Sequence, residues 1–143
     1  MKIYLDVCCL NRPFDNQRDL RIRLETEAVK TILTLCEQDP WQLLNSQVIE
    51  FEIGNTTDEV KRTQLQFMVA NAVSIIRLNP TIITRTKFFQ TAGLTTFDAM
   101  HLACAETQAD IFLTVDDKFL KKARTLTSLT VNNPLNWLSE VLI

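Results

Sequence analysis

Glycine is nearly absent from this chain: Gly54 and Gly93 are the only two in 143 residues. Neither G-x-G-x-x-G nor the Walker sequence occurs, which excludes nucleotide binding by either glycine-rich loop. A single histidine, His101, makes a two-histidine zinc motif impossible. The four cysteines, Cys8, Cys9, Cys36 and Cys104, form no C-x-x-C pair and are too sparse for a disulfide framework. They read as reduced, mostly buried small hydrophobes. No apolar run is long enough to span a bilayer, and no signal peptide precedes the first apolar segment. The expectation is a complete cytoplasmic domain without membrane contact. A net charge of −2 exerts no global pull on nucleic acid. A polyanion would have to meet a local patch, either Arg12, Arg18, Arg21 and Arg23 or Lys118, Lys121, Lys122 and Arg124. Two solvated helix faces are the plainer reading of both.

What is present is a core. Apolar residues make up 46% of the chain, and its length fits one domain, residues 1–143, able to bury most of its apolar surface without staples. Residues 2–7 read as a short buried strand and Asn11–Asn16 as a loop. Leu24, Ala28, Thr31, Ile32 and Leu35 recur at helical spacing from Arg18 to Gln38, and Pro40 ends that helix. Trp41–Asn45 reads as a second strand. Ser46 has the chemistry of an N-cap for a helix carrying Val48, Ile49, Phe51, Glu52 and Ile53. Residues 58–73 form a further helix, with Val60, Leu65, Met68, Val69 and Ala72 as its apolar set. An extended piece covers 74–78. Pro80 opens a helix that Gly93 closes. Thr95 or Thr96 caps the next, over about 96–108. Strands at 111–115 and 129–131 bracket a short helix at 119–123, and Asn133-Pro134 turns the chain into a last helix at 134–142. Short apolar strands alternating with helices, with no hairpin signal, give an α/β class with a mainly parallel sheet. Trp41 and Trp137 read as core or interface anchors.

Aspartates stand repeatedly where an apolar element starts or stops. Asp6 closes the first strand, Asp98 opens the helix at 96–108, and Asp116-Asp117 follow the strand at 111–115. In a parallel sheet the ligand crevice lies at the carboxyl ends of the strands, where Asp6 and Asp116 fall. Each has an ordinary alternative: Asp6 as a turn former, Asp98 as a complement to the helix dipole, one of Asp116 and Asp117 as a cap. Glu50 and Glu52, two apart on an apolar helix, point to different sides, so one can face the site. Converging carboxylates repel unless a cation lies between them, and oxygen-only ligands suit Mg²⁺ or Mn²⁺. The chemistry suggested is metal-assisted phosphodiester hydrolysis. His101 lies one turn from Asp98 on roughly the same helix face. It reads as a packed, hydrogen-bonded core histidine, with a supporting or substrate-facing role as the alternative.

The segments Ile3-Tyr4-Leu5-Asp6, Ser46-Gln47-Val48-Ile49-Glu50-Phe51-Glu52, Phe97-Asp98-Ala99-Met100-His101-Leu102-Ala103 and Thr114-Val115-Asp116-Asp117-Lys118-Phe119, in this order and spacing over nearly the whole chain, resemble the PIN-domain ribonucleases. That family includes the toxins of many bacterial toxin–antitoxin pairs. The resemblance implies a three-layer sandwich with a central five-stranded parallel sheet flanked by helices. It also implies Asp6, Glu52, Asp98 and Asp116 as the catalytic, metal-holding acids, with Thr114 supporting them by hydrogen bonding and Asp117 as a cap or outer group. One departure stands after the first aspartate. Val7-Cys8-Cys9 occupies the place where family members often carry a Ser or Thr, so a supporting hydroxyl is missing.

The leading expectation is therefore a Mg²⁺- or Mn²⁺-dependent endoribonuclease, with Arg12 and Lys118 as phosphate contacts. The resemblance permits a toxin with a small antitoxin partner, and apolar helix faces allow a homodimer. A catalytically degenerate scaffold that binds RNA or a protein partner is the first rival. A phosphoacceptor domain is the second, since such domains also gather aspartates at strand ends.

Overall fold

The computed structural model describes residues 1–38 and 40–142. Asp39 and Ile143, inside the expected 1–143 domain, lie outside the described residues. The strands are β1 (Lys2–Leu5), β2 (Gln42–Ser46), β3 (Ser74–Ile76), β4 (Ile111–Leu113) and β5 (Thr130–Asn132). All four pairings are parallel, in the order β3-β2-β1-β4-β5. The flavodoxin-like order of receiver domains is 2-1-3-4-5, so the phosphoacceptor reading loses its scaffold. The helices are α1 (Val7–Asn11), α2 (Leu20–Gln38), α3 (Gln47–Gly54), α4 (Glu59–Met68), α5 (Pro80–Thr91), α6 (Thr96–Gln108), α7 (Asp117–Leu126) and α8 (Pro134–Val141). The architecture is the expected three-layer α/β sandwich.

The central strands are short and mostly apolar because helices cover both of their faces. Ile3, Tyr4, Leu5, Ile111, Phe112 and Leu113 are all buried. Each large side chain so enclosed contributes roughly 1.5–3 kcal/mol. Helix starts follow local chemistry. The Ser46, Asn79, Thr95, Asp116 and Asn133 side chains each accept a backbone N–H of the first turn, and Pro80 and Pro134 occupy positions whose missing N–H costs nothing. Gly93, at φ +105°, supplies the left-handed turn after α5.

Several boundaries differ from expectation. The first strand stops at Leu5 rather than residue 7, because Val7 opens the short helix α1. Pro13 sits in a single 3₁₀ turn, Arg12–Phe14, where a plain loop was expected. The buried face of α2 is Glu25, Thr26, Ala28, Val29 and Ile32, while Leu24 and Thr31 face solvent. Polar partners draw Glu25 inward and rotate that face away from the apolar periodicity. Val60, expected in the buried set of α4, is exposed. Helix α7 runs the full Asp117–Leu126 instead of 119–123, because Asp116 caps it.

Candidate functional site

The chain leaves β1 toward β2 and β3 on one side, then crosses to β4 and β5 on the other. A crevice at the carboxyl ends of the strands is expected at such a switch point. Leu5 is in register with Leu113, so the next residues, Asp6 and Thr114, emerge together. The Asp6 amide donates to the Leu113 carbonyl at 2.9 Å. Thr114 Oγ1 donates to Asp6 Oδ2 at 2.9 Å and accepts the Asp116 amide at 3.2 Å. The Cys8 thiol reaches the same Asp6 oxygen at 3.2 Å and Thr114 Oγ1 at 3.3 Å. A thiol, a weaker donor, thus stands where the sequence reading found a hydroxyl missing. Burial pushes the Cys104 thiol up to about 12 and the Cys36 thiol up to about 11.

Asp98 enters from α6. Thr95 caps this helix, accepting the Asp98 amide at 3.4 Å, and the carboxyl stands in the first turn, half-buried. Burial, then the negative charge of Asp6, and more weakly that of Asp116, push it up to about 6. Three carboxylates from three separate segments are therefore within electrostatic reach of one another. Asp116 caps α7 through Oδ1, which accepts the Phe119 amide at 3.1 Å. The capping role expected of Asp117 falls instead to Asp116. Asp117 makes a bidentate pair with Arg21, at 2.7 Å to each oxygen, and this guanidinium holds its carboxyl below the usual range.

Glu52 enters from α3 and is hydrogen-bonded through Oε1 to His101 Nε2. The same nitrogen lies 4.0 Å from Asp6 Oδ1, near but beyond hydrogen-bond distance. Its other nitrogen, Nδ1, is 2.7 Å from the Tyr4 hydroxyl, which is 2.7 Å from Ser46 Oγ. Burial pushes the Tyr4 phenol well above its ordinary value. Glu50 turns away, accepting from Asn45 Nδ2 at 3.3 Å. His101 is the packed, hydrogen-bonded histidine of the sequence reading, but its bonds join it to the acid cluster. Spacing held the signal: Tyr4 stands two residues before Asp6 at the end of β1, and His101 sits three residues after Asp98 on α6.

The basic residues divide differently from expectation. Arg12 is only 19% exposed and paired with Asp15 at 2.8 Å and Glu25 at 3.0 Å. Phosphate contact from Arg12 would require breaking two ion pairs. Lys118 is exposed in the first turn of α7. Beside the acids, Phe51 and Phe97 form a tilted pair with ring centroids 5.9 Å apart. Each immediately precedes a site acid.

Solved structures share this architecture. VapBC2 from Rickettsia felis, bound to a DNA fragment from their promoter, matches with a TM-score of 0.63 at 13% identity, covering 93% of this chain and 98% of that one. VapBC-1 from nontypeable Haemophilus influenzae matches at 0.64 and 12%, covering 94% and 98%. FitAcB from Neisseria gonorrhoeae matches at 0.57 and 15%, covering 92% and 97%. The chain has a PIN-domain fold. At these identities the likeness is one of fold. No family model matches the sequence, and no curated protein is a significant match. In this PIN fold, Asp6, Asp98 and Asp116 come within electrostatic reach of one another, and Glu52 bonds to His101, which lies 4.0 Å from Asp6. No helix among the described residues is long and apolar enough to cross a membrane.

The donor set suits a hard divalent cation, since all four acids offer oxygen. In Asp6, Asp116 and Glu52 one carboxylate oxygen is held by the protein, while Asp6 Oδ1, Asp116 Oδ2 and Glu52 Oε2 have no hydrogen-bond partner among the described residues. Among those residues, no group of three His, Cys, Asp or Glu side chains is already assembled as a metal cage.

Proposed function

We propose that this chain is a divalent-metal-dependent endoribonuclease that hydrolyses RNA phosphodiester bonds in the cytoplasm. The observation that supports it most is the crowding of acids at the carboxyl edge of the sheet. Asp98, half-buried beside Asp6 and Asp116, has its carboxyl pushed up to about 6. Such a cluster is costly to fold and is explained by a cation that answers it. Asp6, Glu52, Asp98 and Asp116 would hold Mg²⁺ or Mn²⁺. When bound, such an ion supplies polarisation of a phosphoryl oxygen and activation of water. Thr114 and Cys8 fix Asp6, the first turn of α7 fixes Asp116, and His101 fixes Glu52. Lys118, exposed in the first turn of α7 beside Asp116, is the basic side chain proposed to meet a phosphate.

Pairing with a small antitoxin, and a homodimer, belong to the same proposal. Phe51, Val60 and Phe67, large apolar side chains left exposed here, offer a surface for such a partner.

Asp98→Asn is expected to remove Mn²⁺-dependent cleavage of mixed RNAs while the circular dichroism spectrum is kept. Full activity in that variant, or of the wild type in excess chelator, would sink the reading. The scaffold reading draws on one observation, the lack of a ready-made metal cage among the described residues. Calorimetric titration with Mn²⁺ separates the two: no binding favours the scaffold.

A further inference from the structure

Ser46, Tyr4 and His101 are buried, and each has more than one hydrogen-bonding role to assign. Ser46 Oγ already accepts the Ile49 amide at 3.0 Å, as the cap of α3. Its own hydrogen then has one acceptor among the described residues, the Tyr4 oxygen. Tyr4 must in turn donate to His101 Nδ1. With Nδ1 accepting, the ring proton of a neutral imidazole is on Nε2, where it is donated to Glu52 Oε1. The opposite direction, with Tyr4 donating to Ser46, leaves a buried serine hydrogen without an acceptor, an arrangement native interiors avoid. One direction alone uses every donor.

We propose that His101 is a positioning residue: the donor chain Ser46 to Tyr4 to His101 holds it as the Nε2–H tautomer, and in that form it fixes one oxygen of Glu52 and leaves the other for the divalent ion. The metal part of this statement rests on the function proposed above. The tautomer part does not. The chain ties three site-bearing elements together, since Ser46 opens α3, Tyr4 lies two residues before Asp6, and His101 lies on α6 with Asp98. Outer hydrogen bonds of this kind orient metal-binding side chains elsewhere, and losing one typically costs about 10–100-fold in metal affinity.

The lone histidine makes the test direct. Full-length, untagged, ¹⁵N-labelled protein in chelator gives one set of ring resonances in a long-range ¹H–¹⁵N correlation spectrum. The expected result at neutral pH is the neutral Nε2–H tautomer. An Nδ1–H tautomer or an imidazolium overturns the proposal. Tyr4→Phe keeps the ring and deletes the donor. It is expected to lose the single tautomer and to weaken Mn²⁺ binding by about 10-fold in calorimetry. A Tyr4→Phe protein with a lower melting temperature but unchanged Mn²⁺ affinity shows a merely structural chain and overturns the positioning role. If the wild type binds no Mn²⁺, the nuclease reading fails, and the wild-type ring spectrum still decides for or against the donor chain.

Discussion

Glu25 and Asp98 are both withdrawn from water, and the fold treats them in opposite ways. Glu25 is 1% exposed, yet Arg12 Nε at 3.0 Å, Arg21 Nε at 3.2 Å and Asn133 Nδ2 all donate to it. Arg12 and Arg21 extend the network to Asp15 and Asp117. Asp98 is less buried but faces the charges of Asp6 and Asp116, and its carboxyl is pushed up to about 6. Burial of a carboxylate is therefore no mark of function by itself. A buried acid with its cations in place is part of the scaffold, whereas Asp98 stands among other acids with no Lys or Arg ion pair among the described residues. The same contrast sorts the arginines: Arg12, first expected at the phosphate, belongs to the scaffold.

The sharpest way to break this comparison is Glu25→Gln. Removing the charge leaves two guanidinium groups and an amide around a neutral side chain, and loss of one partner of a buried pair costs about 3 kcal/mol or more. Urea denaturation should show that loss. A change below about 1 kcal/mol would mean the cluster behaves as a solvated surface network and the contrast with Asp98 is false.

Asp98→Asn should act with the opposite sign. The folded carboxyl titrates near 6 against an ordinary 3.8, so the wild-type protein without metal is most stable below pH 4 with respect to this group. That contribution is lost as pH rises through 6. The full difference converts to roughly 3 kcal/mol, and half-exposure with solvent screening reduces the expectation to about 1 kcal/mol. In chelator at pH 8, Asp98→Asn should therefore be more stable than wild type by about 1 kcal/mol, the gain vanishing toward pH 4. Equal stability of the two proteins across that range would show that the acids do not repel.

The smallest effect belongs to Asp117→Asn. The Arg21–Asp117 pair is bidentate, but its partners are 52% and 63% exposed, and such pairs contribute little. Thermal unfolding should move by no more than about 0.5 kcal/mol, and RNA cleavage should be unchanged. A loss of cleavage comparable to that of Asp98→Asn would move Asp117 from the scaffold into the acid site.

Much of this molecule was legible before any tertiary contact was known. The span of α6 and the caps Ser46 and Thr95 follow from signals within a few residues, as does the placement of Asp6, Asp98 and Asp116 at element ends. The inward turn of Glu25 was not legible, because apolar periodicity on α2 favours Leu24 and Thr31 and cannot register an ion pair. Cys8 looked like a lost hydroxyl, and only its approach to Asp6 and Thr114 shows that its thiol takes up part of the role.

By itself, the sequence determined the strands, the longer helices and their order, because periodicity, capping and turn chemistry act over one or two helical turns. It also determined that acids would stand at the ends of strands and helices. Only the tertiary structure decided which acids receive a counter-charge. Asn133 meets Glu25, and Thr114 meets Asp6, across 108 positions of chain, and His101 meets Glu52 across 49. Charge compensation depends on distance through space. The parallel sheet, by bringing the carboxyl ends of β1 and β4 side by side, set Asp6, Asp98 and Asp116 against one another while enclosing Glu25 among its partners.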